Sequence, residues 1–118
     1  QPSNVNLGAL ATEPHDVMLS PVTPTPQPPI GYLNSDVEYE ILRKRVFDFL
    51  VYTPMQNALG TPAMSVPSGF STNGVPIGSH FIARAGGEDL LLALAFELEQ
   101  LQPWADQWAP NSVKIKGV

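Results

Sequence analysis

The stretch Thr53-Pro-Met-Gln-Asn-Ala-Leu-Gly-Thr-Pro-Ala-Met-Ser-Val-Pro67, followed by Gly74-Val-Pro-Ile-Gly78, decides the fold. Asn57 can fix a loop through its side chain, and Gly60 permits close backbone approach. Ala63 to Val66 then reads as a short strand, which Pro67 is expected to end. Gly69 to Gly74 is a turn region in which Asn73-Gly74 favours positive φ and a tight reversal. Ile77 to Ala83 reads as the next strand, antiparallel to the one before it.

Upstream, Ser35-Asp-Val-Glu38 has the pattern of a capping box. Val37, Ile41, Leu42, Val46, Phe49 and Leu50 follow at helical spacing, with acidic residues first and Arg43-Lys44-Arg45 after them. This predicts an amphipathic helix from about Asp36 to Val51, stopped by Pro54. Further upstream, the five prolines of Pro21 to Pro29 predict an extended loop. The spacing of Pro26 and Pro29 also allows an SH3-type ligand, but no Arg or Lys flanks the segment. Val17-Met-Leu-Ser20 reads as a buried strand. It should run parallel to the Ala63 to Val66 strand through a right-handed crossover.

Downstream, Glu88 to about Leu101 reads as a second helix, opened by Gly86-Gly87 with Glu88 and Asp89 in its first turn. Leu90, Leu91, Leu94, Leu98 and Leu101 make one apolar face, and Leu92, Ala95 and Phe96 widen it most of the way round. Three short strands and one other helix cannot cover such a helix. Exposed apolar patches and self-association are therefore expected.

The chain has 118 residues, a net charge of −5 and no cysteine. That length allows one domain at most. The acidic balance argues against nucleic-acid binding, since Arg43-Lys44-Arg45 is the largest basic cluster and suits a solvated helix face. The lack of cysteine excludes a disulfide framework and a thiolate metal site, and it fits a reducing cytoplasm. The apolar run Leu90 to Phe96 is too short to span a bilayer, which takes ~20 residues. The chain opens on Gln1 rather than Met, which fits processing or a start inside a longer sequence.

Single chemical groups give little. His80 lies within a strand and is better explained as a hydrogen-bonding core or cleft-side residue than as a base. His15, beside Asp16, suits a surface role. Two histidines this far apart, with no carboxylate at short spacing, make no metal site. Glu97 and Glu99 diverge on a helix and form no carboxylate pair. Ser68 lacks the Gly-x-Ser-x-Gly elbow of a strained nucleophile.

Taken together, Asn57, Gly60, Pro62, Ala63, Pro67, Gly74, Pro76 and Gly78 resemble the C-terminal core of the amidase signature family, the serine amide hydrolases. The likeness runs from about residue 13 to residue 110. Its wording is most similar to the branch that includes the aminohexanoate cyclic-dimer hydrolases. The resemblance implies an α/β fold with a small mixed sheet in β-α-β-β-α order. It implies an amidase portion over 16–110, while residues 1–15, polar and patternless, read as a lead-in and 111–118 as a tail.

It also implies acyl transfer. A Lys, through a bridging Ser on a cis peptide, would deprotonate a nucleophilic Ser that attacks the amide carbonyl. Those serines belong to a Gly/Ser-rich segment that this sequence lacks, and its lysines are only Lys44, Lys114 and Lys116. No residue of this chain is therefore assigned to catalysis, and the chain alone is expected to be inert. The expected partners are the N-terminal remainder of an amidase and, in the intact enzyme, a small amide substrate. No cofactor, metal, nucleic acid or membrane is expected. The segment Asn57, Gly60, Thr61, Pro62 is expected to form part of the pocket wall, with Tyr32 at its rim. The remaining alternatives are a free-standing interaction module and a piece of the A-type chain of a glutamyl-tRNA amidotransferase.

Overall fold

The hairpin that follows the diagnostic stretch organises the chain. In the computed structural model, which describes residues 17–114, strand β2 spans Ala63–Phe70 and β3 spans Pro76–Ile82. The turn between them closes through the Ser71 N–H, which donates to the Val75 carbonyl at 2.8 Å, and the Gly74 N–H, which donates to Ser71 at 2.9 Å. Gly74 has φ 75°, as the Asn-Gly reading predicts. Strand β1, Met18–Pro21, takes the other edge of β3. The sheet order is β1-β3-β2, and both ladders are antiparallel.

Two expectations about the sheet are corrected here. β1 and β2 do run parallel, since each opposes β3, but they are not neighbours, and the ladders are antiparallel rather than mixed. The short turn lets β3 fold back on β2 at once. β3 then offers its second edge to the distant β1. Nor does Pro67 end β2. The strand continues to Phe70 across an irregularity between Pro67 and Gly69. An edge strand and a bulge are places where a strand tolerates a proline, and Pro67 lies on an edge strand beside a register irregularity.

The helices are α1 (Tyr39–Phe49), α2 (Pro54–Leu59) and α3 (Glu88–Leu101). α1 starts three residues later than the capping-box reading places it. Its N-cap is Glu38, whose carboxylate accepts from the Glu40 N–H at 3.1 Å and the Ile41 N–H at 3.2 Å. Asn34 organises the turn before it, accepting from the Ser35 N–H and donating to Asp36, both at 2.8 Å. Pro54 does not merely stop a helix. It opens α2, where the absent N–H of a first-turn proline would be unpaired anyway. α3 has the expected bounds, with Gly87 as N-cap and Glu88 and Asp89 in its first turn.

The core is small. Its buried apolar residues among those described are Val66, Ile82, Ala83 and Leu91. α1 buries no residue. Leu92 and Phe96, on the far side of α3, are 60% and 66% exposed. The apolar surface expected on this helix is therefore present. The lead-in over 1–15 and the end of the tail lie outside the described residues.

Candidate functional site

The predicted pocket segment is built around the end of α2. Gly60 adopts φ 66°, and its N–H donates to the Gln56 carbonyl at 2.8 Å. The Thr61 N–H donates to the same carbonyl at 3.3 Å. A left-handed glycine closing a helix in this way frees the chain to turn. Pro62 then ties the segment to the sheet, because its carbonyl accepts from the Ala83 N–H at 3.1 Å. Asn57 lies exposed on α2.

Tyr32 is tied to α1. Its carbonyl accepts from Arg45 Nη1 at 2.8 Å, and the Arg45 guanidinium lies 4.3 Å from its ring centroid. These two contacts hold it against α1.

Sequence reasoning missed Gln56. It is only 6% exposed, and its Oε1 has no hydrogen-bond partner. The buried Oγ1 of Thr61 likewise has none. An orphaned buried acceptor costs ~1–3 kcal/mol, so such groups ordinarily meet water, ligand or further protein. The only signal in the sequence was their position beside Asn57 and Gly60.

His80 sits at the centre of the sheet, opposite Ser20 on β1 and Ser65 on β2. It is 4% exposed, and its Nδ1 lies 3.0 Å from Ser20 Oγ. The Ser20 hydroxyl also donates to the Pro21 carbonyl at 3.2 Å. Burial pushes the imidazole below its usual range, which favours the neutral ring. No ion pair to His80 exists among the described residues. The imidazole therefore serves as a cross-strand hydrogen-bonding group, as expected from its place in a strand.

Several hollows adjoin the sheet, two of them bordered by loop residues. One, of about 280 Å³, lies between the Pro-rich loop and the β2–β3 hairpin, with Val22, Thr23, Gln27, Ser65 and Gly78 in its lining. The other, of about 550 Å³, is walled by Phe70, Trp104 and Trp108. Its Trp108 is capped by the Lys114 ammonium at 3.9 Å. The described residues hold no cluster of His, Asp or Glu suited to a metal, and no described helix is long and apolar enough to cross a membrane.

The amidase family model matches residues 6–92, most of the chain. The chain belongs to the amidase family. It is 42% identical over 97 residues to AmiC, an inferred amidase of Mycobacterium tuberculosis, covering 82% of this chain and 20% of that protein. It is 41% identical over 99 residues to the A-type chain of the glutamyl-tRNA(Gln) amidotransferase of Geobacter metallireducens, covering 84% and 19% respectively. It is 37% identical over 95 residues to the 6-aminohexanoate-cyclic-dimer hydrolase of a Pseudomonas species, covering 75% and 19%. The chain thus spans about a fifth of the length of the curated relatives it matches. No solved structure matches it.

Proposed function

We propose that this chain is the C-terminal part of a serine amidase, which hydrolyses carbon–nitrogen bonds of small amides. The observation that carries the reading is the amidase match over residues 6–92, together with relatives about five times longer. In this reading the chain supplies sheet strands and one wall of the pocket, from Asn57, Gly60, Thr61 and Pro62. The Ser–cis-Ser–Lys set is contributed by polypeptide outside this sequence, whose serines include no Gly-Gly-Ser-Ser run. The orphaned Gln56 Oε1 and Thr61 Oγ1 and the exposed face of α3 suit such an addition.

A chimaera tests the proposal. The matching segment of the Pseudomonas hydrolase is replaced by residues 13–110 of this chain, and hydrolysis of that enzyme's cyclic dimer is measured. Activity in the chimaera, with none in the isolated 118-residue chain, is the expected outcome. A folded, monodisperse chimaera without activity would overturn the reading, and hydrolysis by the isolated chain would overturn its second half. The 41% identity to an amidotransferase chain favours a second reading, in which this sequence is part of such an A-type chain. The same exchange into the Geobacter protein, assayed for Gln-tRNA formation, discriminates the two.

A further inference from the structure

Both tryptophans of this chain meet at one place. Trp104 and Trp108 follow α3, and the turn between them closes through the Gln107 N–H, which donates to the Trp104 carbonyl at 2.9 Å. With Phe70 from the end of β2 they wall the 550 Å³ hollow, whose lining also includes Pro67, Pro76 and Gln107. No residue of the predicted pocket segment Asn57 to Pro62 lines it, so the amidase reading gives it no task.

The lining is aromatic and carries no formal charge. Phe70 and Trp108 are 55% and 45% exposed, so a guest here stays in contact with water. Apolar burial alone would hold it weakly, and an attraction that survives exposure is needed. The ring faces supply one, because an aromatic face is the negative side of its quadrupole and draws a cation. The structure already shows this at Trp108, where the Lys114 ammonium lies 3.9 Å from the ring centroid. Lys114 itself is not part of the lining. Asp106, in the turn between the two tryptophans, is exposed and forms no ion pair among the described residues. Its carboxylate adds negative potential beside the rings, and the net charge of −5 adds to it at longer range.

We propose that this hollow binds a small quaternary ammonium ion against the rings of Trp104, Trp108 and Phe70. A quaternary head group suits it better than a primary one. A primary ammonium is strongly hydrated and has three N–H donors to satisfy, and the lining holds no carboxylate to receive them. N-methyl groups need no hydrogen bond and meet aromatic and proline surface directly. The volume falls within the range of small-molecule sites, ~300–1,000 Å³.

Tryptophan fluorescence of the 118-residue chain reads this hollow directly, since both tryptophans line it. Choline is titrated against dimethylbutanol, its uncharged isostere with carbon in place of nitrogen, at constant ionic strength. A saturable change with choline is expected. The isostere should bind about fivefold more weakly, the effect of a cation on a partly exposed ring. Asp106→Asn should weaken choline binding and Lys114→Gln should tighten it, each about twofold, and neither should alter dimethylbutanol binding. Trp108→Leu should abolish the choline response, with Trp104 left as the reporter. Equal binding of the two probes, choline affinity unmoved by both charge variants, or no saturable change with choline would each overturn the proposal. A trimethyllysine tripeptide that binds more tightly than choline would move the site to a modified peptide and overturn the small-ion assignment. No step here depends on amide hydrolysis, so an inactive chimaera leaves this site standing.

Discussion

The sheet with its two loops and the pair of longer helices obey different physical rules. The first region carries no formal charge, and hydrogen bonds hold it: two antiparallel ladders, the Ser20–His80 contact at 3.0 Å and the capped end of α2. The second carries charge on its surface. Glu40 pairs with Arg43 at 2.9 Å, and Lys44 pairs with Asp48, all four side chains being mostly exposed. Such pairs are worth ~0–1 kcal/mol each. What fixes α3 instead is Leu91, the one residue of that helix that is buried. The sheet region thus holds together without charge, while the helices meet water on one side and leave apolar surface open on the other.

Four changes would break or sharpen that contrast. Leu91→Ala should have the largest effect, lowering stability in a urea titration by ~2–5 kcal/mol, as for a truncated core leucine. Leu92→Ala, one residue on and 60% exposed, should change it by ~0.5 kcal/mol or less. Equal costs would mean that α3 is seated differently. Gly78→Ala should come next, at ~1–3 kcal/mol, because the stiff Val22 must move away from the new methyl group.

The third change is pH. The pKa of folded His80 is lowered by burial, so the unfolded chain binds the extra proton first as pH falls. Stability should therefore be full above the unfolded value of ~6.5 and decline as the pH drops below it. Melting curves between about pH 7.5 and 5.5 should show this decline, and His80→Gln should flatten it. A slope that survives the substitution would assign the effect elsewhere. The smallest change is Glu40→Gln on α1, with an expected cost within ~0.5 kcal/mol, reduced further by salt. A larger loss would mean that the helical surface is more than a solvated face.

The legible parts of the sequence are those set by neighbours along the chain. Glu88 to Leu101 is readable to the residue, because Gly87 opens the helix and two acids fill its first turn. Asn73-Gly74 marks the hairpin. α2 escapes a sequence reading because Pro54 suits a helix stop and a first turn equally well. Ser35 has the spacing to cap α1, but the carboxylate of Glu38 reaches the same kind of backbone groups from closer by. In the candidate site, Asn57 to Pro62 can be found through its glycine and prolines. The orphaned Gln56 cannot, since burial is a property of the packed chain.

By itself the sequence determined the two longer helices, the location of the three strands, the separation of charge from the sheet-forming segments, and the amidase motifs. Each of these depends on a residue's own chemistry or on partners a few positions away. Only the tertiary structure decided the order β1-β3-β2, the placing of His80 against Ser20, and the close approach of Val22 to Gly78. Those contacts join segments far apart in the chain. The entropy of closing a long loop rises only slowly with its length, so spacing alone does not rank one distant pairing above another. The edges of β3 and the bare Cα of Gly78 made that choice.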